Sequence, residues 1–362
     1  SKERFFIPAL APLLYNLGII SGGILLGPWI GMEGFAWGVL IGAFGGNLLV
    51  QFFGVRKTGL QYRFIFDLGH PDLRKYVFLT LPLMVGLTMT FSTEFFFRLF
   101  GSYLPEGSIA VLNFGLRIML ILVGLFGQAV GTASFPFLAR LAAENKINDM
   151  NRLLNHTLRF LALVIPFSVM LMVLRSEVVR IIFERGKFDA AATALTAEVL
   201  MYLLVGAFAF AAYTIVVRGY FASQNTLFPA LYGTIVVVLS IPLYLLGMNL
   251  LGVRGVALAV SLSGIFQVTV LYALWNKRSN NTESRQVYVF YFRIMCFAAV
   301  LGIFLAWFKS ATLFWIDSTT FQGSLMVSLL TGAVFLGILL TVGYGLKIKE
   351  VTELVSRLLK KL

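Results

Sequence analysis

The sequence predicts an all-α polytopic membrane protein, and three observations carry that prediction. Of 362 residues, 59% are hydrophobic and 12% charged, where a soluble domain carries about 25% charged residues. Apolar runs recur from end to end, each of the ~20 residues needed to cross a hydrocarbon core of ~30 Å. The two-residue alternation of an outer-membrane barrel is absent.

Taken in order, the apolar segments number ten, at about 5–27, 33–54, 76–104, 108–140, 155–182, 194–222, 227–251, 253–275, 287–309 and 323–345. Several exceed the span length, so tilt, kinks or extension past the bilayer are expected. The start, "SKERFFIPAL", has no signal-peptide cleavage pattern and passes almost at once into the first segment. The end, "KIKEVTELVSRLLKKL", sets Val351, Leu354, Val355 and Leu358 at helical spacing between lysines, as an amphipathic helix on an anionic leaflet or a solvated terminal helix would.

Loop charge gives the topology. With the N-terminus inside, the inner segments hold nineteen of the 29 basic residues and the outer loops six, among them Arg175, Arg180 and Lys309. Both termini are therefore expected to be cytoplasmic. Arg218 counts with the inner charges. Four arginines remain inside apolar segments: Arg98, Arg117, Arg159 and Arg293, of which Arg159 and Arg293 lie near inner ends and can snorkel.

A repeat is visible. "FIPAL" (6–10) and "LFPAL" (227–231) each open a hairpin; Pro8 precedes Gly34 and Pro229 precedes Gly255 by 26 residues; Arg56-Lys57 and Lys277-Arg278 close the two hairpins. All three matches share an offset of 221. Both copies start on the same side, so the repeat is parallel, about an axis along the membrane normal. The expected architecture is a two-lobe pseudo-symmetric helical bundle with an incomplete first lobe. Residues 1–57 are its last hairpin, 58–75 a cytoplasmic linker with amphipathic character, and 76–278 a six-helix lobe. Residues 287–345 add two transmembrane helices and 346–362 the amphipathic tail.

Arg117 stands about nine residues into its helix, roughly 13 Å from the outer end. A guanidinium that deep needs a partner or water. Glu94 across a helix hairpin is one partner, carbonyls of a neighbouring helix are a second, and an anion in a wet cavity is a third; the planar fork suits phosphate. Glu94 and Arg98 sit at i, i+4 in "FSTEFFFRLF" and can pair; a carboxylate so placed can also carry a coupling proton. Gly18/Gly22, Gly23/Gly27, Gly38/Gly42 and Gly127/Gly131 have the spacing of close helix packing. His70 and His156 are too few for a metal site, Cys296 is the only cysteine, and no Walker loop, GxSxG or HExxH is present. A transporter, not an enzyme, is expected, with no cofactor, no metal and no nucleic-acid partner.

"LPEGSIAVLNFGLRI" (104–118) and "GLFGQAVGTASFPFLARLAAEN" (124–145) strongly resemble the MurJ/MviN family, the lipid II flippases of the multidrug/oligosaccharidyl-lipid/polysaccharide exporter superfamily. "IIFERGKFDAAAT" (181–193) is similar to that family's outer loop between its ninth and tenth helices, and "VVRGYFASQNTLFPAL" (216–231) to its turn into the eleventh. The resemblance implies a bacterial inner-membrane protein of fourteen helices, of which the first four, with further cavity arginines, are lacking here. It implies movement of an undecaprenyl-pyrophosphate-linked peptidoglycan precursor, lipid II, from inner to outer leaflet by alternating access. A cationic cavity takes the head group, and the two extra C-terminal helices, matched by 287–345, form an apolar groove for the tail. Arg117 matches a cavity arginine of the eighth helix; Arg98 and Asn113 are further substrate-binding candidates, and Glu94 the coupling candidate. Some members bind sodium, but the seventh-helix Asp position holds Phe97, one turn after Glu94, and the eleventh-helix Asn falls near Ser240 or Tyr244. Sodium coupling is therefore disfavoured, and a proton carried by Glu94 is a candidate in its place. Rival readings are a flippase for another polyprenyl-linked oligosaccharide, a soluble-cation exporter, and a non-transporting scaffold for cell-wall synthesis proteins.

Overall fold

The computed structural model describes residues 6–50, 52, 67, 69–74, 76–77, 80 and 92–345. The expected tail at 346–362 and most of the linker at 58–75 lie outside the described residues. Every regular element described is helical. The chain divides into two compact units, Ser1–Arg74 and Lys75–Leu362.

The first unit is a hairpin of α1 (Phe6–Leu25) and α3 (Glu33–Ala43), joined by the single turn α2 (Gly27–Ile30); α3 runs on as a π-wound stretch, Phe44–Val50. Glycine makes the hairpin. A Cβ on Gly18 would lie 2.5 Å from Gly42 Cα, and one on Gly22 would lie 2.5 Å from Gly38 Cα. The two backbones thus meet with nothing between them, as expected from the glycine spacing. Gly23 lies against the ring of Phe35, and Gly34 closes on the backbone of Gly27, although Gly27's own Cβ position is open. Leu13, Leu17, Ile20 and Ile24 point outward and give the unit an apolar surface.

The second unit holds α4 (Ser92–Gly101), α5 (Ser108–Val123), a π-wound turn (Gly124–Gln128), α6 (Ala129–Ala143), α7 (Ile147–Leu161), α8 (Val164–Val173) and α9 (Arg175–Phe183). It continues with α10 (Ala190–Leu204), α11 (Ala207–Ala222), α12 (Leu227–Leu251), α13 (Val253–Ser279), α14 (Ser284–Thr312) and α15 (Phe321–Gly345). Seven helices among the described residues are long and apolar enough to cross a membrane, or eight counting α10–α11 as one span bent by 45°.

That bend has a local cause. Gly206 packs against Ser261, whose Oγ donates to the carbonyls of Tyr202 and Leu203 at 2.7 and 3.0 Å. The side chain thus satisfies acceptors at the break in the helix ladder.

Two apolar cores hold the unit together. One gathers Phe97, Leu112, Leu200 and Val256 from α4, α5, α10 and α13; the other gathers Leu154, Ile215 and Leu271 from α7, α11 and α13. Buried amides join the second core to the α13–α14 turn. Asn155 exchanges hydrogen bonds with Asn281 at 2.9 and 3.0 Å, Tyr272 donates to Asn155 at 2.7 Å, and Trp275 donates to Asn151 at 2.9 Å. The last two helices are fastened at their other end. Lys309 of α14 donates to Glu177 at 2.7 Å and to the carbonyl of Val173 at 2.9 Å. Arg180 of α9 reaches the carbonyl of Ser318 and, at 3.1 Å, Glu184.

The repeat has a backbone signature in each unit. Gly31 closes its turn at φ 62°, ψ −134°, and Gly252, offset by the same 221 residues, at φ 57°, ψ −132°. A side chain is strained at such positive φ. Gly255 abuts the backbone of Gly247 as Gly34 abuts that of Leu26 and Gly27.

Candidate functional site: the polar face of the α5–α6 span

α5 begins after Gly107, held at φ 90°, and runs through the π-wound turn into α6 as a 36-residue span. One face is packed. Gly115 has no Cβ where Val199 and Leu203 of α10 press in at 3.1 and 3.2 Å, and Leu112, Leu116 and Met119 are buried beside it. The opposite face is exposed through Arg117, Ile121, Gln128 and Thr132.

The sequence candidates sit on this span and on the adjoining α4. Arg117, Glu94 and Arg98 are exposed, and no hydrogen bond or ion pair joins them to one another or to Asn113 among the described residues. The anticipated partnership of Glu94 with Arg117 or with Arg98 is thus not made. Asn113 is half-buried and turns its Nδ2 back to the carbonyl of Ile109 at 2.8 Å, spending a donor on its own helix. Among the described residues, Arg117 is therefore an exposed cation with no ion-pair partner.

A second cation on this face comes from α11. Arg218, grouped by sequence with the inner loop charges, lies one turn inside the end of α11. Its guanidinium rests on Gly131, where a Cβ would collide with Nη1. Its Nη2 donates to Gln128 Oε1 at 3.3 Å and to Thr132 Oγ1 at 3.4 Å, while Nη1 is buried with no partner. The Gly127/Gly131 pair thus divides its labour. Gly127 lets α11 approach, its Cβ position 3.0 Å from Ala211 Cα, and Gly131 seats a guanidinium. Thr214 of α11 ties the turn in place, donating to the carbonyl of Gly127 at 3.2 Å. A π-wound turn re-registers the helix face and is frequent at functional sites. The signal available in sequence was a glycine, a polar residue and an arginine at matching depth on two helices.

On another side of the unit, an apolar cavity of about 480 Å³ opens between α8, α11, α13 and α14, lined by Phe208, Ala212, Val268 and Tyr291 among others. None of its lining residues belongs to α5 or α6.

The positions that the resemblance matches to a sodium site in some members, Phe97 and either Ser240 or Tyr244, lie in packed surroundings. Phe97 is fully buried, and Tyr244 stacks on Phe100 at 5.2 Å and packs on Phe96 at 4.6 Å. Ser240 donates to the carbonyl of Val237 at 2.7 Å. Such a set supplies no carboxylate, and hard cations need charged or carbonyl oxygen ligands. No group of three His, Cys, Asp or Glu residues placed to hold a metal occurs among the described residues.

A family model described as "Lipid II flippase MurJ" matches residues 1–326. The chain belongs to the MurJ family. A Rhizobium tropici relative described as a probable lipid II flippase MurJ is 29% identical over 286 residues, 77% of this chain and 53% of that protein. A Vibrio cholerae relative of the same description is 26% identical over 358 residues, 97% of this chain and 68% of that protein. The chain thus spans little more than half to two thirds of these relatives' lengths. A solved structure, lipid II flippase MurJ in an inward closed conformation, superposes with a TM-score of 0.67 at 27% identity, covering 92% of this chain and 68% of that one. Membership in the MurJ family, with its seven or eight candidate spans, places the chain in the bacterial inner membrane.

Proposed function

We propose that this chain is part of a lipid II flippase, which moves an undecaprenyl-pyrophosphate-linked precursor from the inner to the outer leaflet by alternating access without making or breaking a covalent bond. One observation supports this most. In a family of lipid II flippases, Arg117 stands on a membrane-spanning helix with no carboxylate paired to it among the described residues. An unpaired intramembrane guanidinium calls for an anion, and its planar fork matches phosphate oxygens. The polyprenyl chain needs only apolar surface, which the outward side chains of α14 and α15 and the cavity beside α14 offer.

Arg117 holds the diphosphate and orients it; Arg98 and Asn113 stand ready on the same pair of helices for the head group. Both termini face the cytoplasm, following the loop charges. Coupling through a proton on Glu94 fits better than coupling through sodium, because the matched positions hold Phe97 and Ser240 or Tyr244, none of them a carboxylate. Transport that is unchanged by Glu94→Gln, or that ignores a pH gradient, would rule this coupling out.

The test is replacement. The gene at its full encoded length is placed in cells depleted of their own lipid II flippase. Growth should be restored, and Arg117→Ala should abolish the rescue with the protein still in the membrane. A scaffold for cell-wall enzymes would survive Arg117→Ala. A flippase for another polyprenyl-linked oligosaccharide would not rescue at all.

A further inference from the structure

The Arg218 seat is more than a brace between α6 and α11. A guanidinium carries five donors. Here Nη2 makes two long bonds to neutral acceptors, Gln128 at 3.3 Å and Thr132 at 3.4 Å, Nη1 is buried without a partner, and no ion pair reaches the group among the described residues. The residue is half-buried, but a buried donor such as its Nη1 is costly to leave unpaired. A brace would be expected to use its donors. The nearest charged group on α6, Arg140, is already committed to Glu144.

The seat also lies on the face that carries Arg117. Gln128 and Thr132 are exposed there, and eleven residues of helix separate Arg117 from Gln128, about 16 Å at ~1.5 Å per residue. One diphosphate cannot bridge that distance, so the two arginines cannot hold it at the same time. The bare Cα of Gly131 lets the guanidinium lie flat, and its neutral partners are weak enough for a phosphate oxygen to displace.

We propose that Arg218, with Gln128 and Thr132, forms a second seat for the lipid-linked diphosphate, occupied at a different stage of passage from Arg117. This rests on the flippase reading above and adds a named station to it.

The experiment uses the full-length protein in phosphatidylcholine vesicles, with undecaprenyl pyrophosphate as probe in binding and its precursor-linked form in flipping. Arg218→Gln should raise the half-saturating concentration roughly tenfold, the loss of one charge-assisted anion contact, and leave the maximal rate within about twofold. Arg218→Lys should recover part of the affinity, because it keeps the charge. Arg117→Gln should instead lower the maximal rate. Inorganic pyrophosphate should compete in the wild type and about tenfold less well in Arg218→Gln.

Should Arg218→Gln fail to fold, Gln128→Ala and Thr132→Val, both at exposed positions, should each weaken binding severalfold. Wild-type affinity in all of these variants overturns the seat. Competition by phosphatidylglycerol equal to that by pyrophosphate also overturns it, in favour of a bilayer phosphate. A half-saturating concentration for flipping that is unchanged in Arg218→Gln, with the maximal rate still lowered in Arg117→Gln, sinks this inference alone; a wild type that binds no undecaprenyl pyrophosphate sinks the flippase reading with it.

Discussion

The guanidinium of Arg218 lies on the bare backbone of Gly131, and a methyl group at that glycine would strike Nη1. The obstacle is the far end of a flexible side chain, so Gly131→Ala only pushes the arginine off its seat and regains helix propensity of up to ~1 kcal/mol. Gly255 is the contrast. Its Cβ would run into the backbone of Gly247 within the α12–α13 hairpin, where nothing can rotate away. Chemical unfolding in detergent should find Gly131→Ala near wild type, and Gly255→Ala either several kcal/mol less stable or unfolded, in line with overpacking of a tight contact at ~1–3 kcal/mol or more.

Ser261 gives a second prediction. It is fully buried, and its one hydroxyl serves two carbonyls at the 45° break between α10 and α11. Ser261→Ala removes the hydroxyl donor from the carbonyl of Tyr202 and leaves that of Leu203 with the backbone N–H of Gly206 alone. A loss of about 1–3 kcal/mol is expected. Ser261→Thr should retain most of the stability if its methyl finds space, and equilibrium unfolding separates the two. A loss below ~0.5 kcal/mol in Ser261→Ala would mean that the kink does not depend on this hydroxyl.

The helices were largely legible because a bilayer imposes length and apolarity on every span, and the glycine hairpin of the first unit because small residues at one spacing leave few other packings. Gly31 and Gly252, with their matching positive φ, give the repeat a physical basis beyond letter matches. The polar details were not legible. Arg218 stands four residues before the end of α11, where a snorkelling loop charge and a seated guanidinium look alike in sequence. Gly131 reads as a packing residue until the partner helix shows what it faces. The Asn155–Asn281 exchange joins residues 126 apart, and no local pattern announces such a bond. Among the described residues, Glu94 and Arg98 are not paired with each other, since i, i+4 spacing permits a pair without compelling one.

Acid tests a different level. Glu144 closes α6 in an exposed loop, where Lys146 at 2.8 Å and Arg140 at 2.9 Å hold its carboxyl down at about 2 from an ordinary 4.5. The sign follows from linkage: a carboxyl lowered by folding stabilises above its unfolded value, and that contribution is lost as pH falls from there through about 2. The loop should keep both pairs from neutral pH to about pH 3 and lose them below. A carboxyl resonance of Glu144 titrating near 4.5 in the folded protein would contradict the pairing. The pair is exposed, so its effect on global stability should be small and screened by salt.

The Lys309–Glu177 pair fastens α14 to the junction of α8 and α9, and its burial decides how it should respond to mutation. Glu177 is 2% exposed, and Lys309 Nζ reaches both its carboxylate and the carbonyl of Val173, which closes α8. A cation at a helix C-terminus is favourable, and the carboxylate makes the site neutral. Lys309→Met strands a buried carboxylate, which costs about 3–5 kcal/mol. Glu177→Gln leaves a lysine that is less buried and can still use the carbonyl, so it should cost less. The double variant Lys309→Met/Glu177→Met should recover most of the loss, since an apolar pair of similar volume replaces a desolvated ion pair at little or no cost. A double-mutant cycle on unfolding free energy measures this coupling directly. If the single losses simply add, the pair does not hold α14 in place, and the anchoring of the last two helices must rest on the apolar contacts of Leu301 and Leu305 with Phe335.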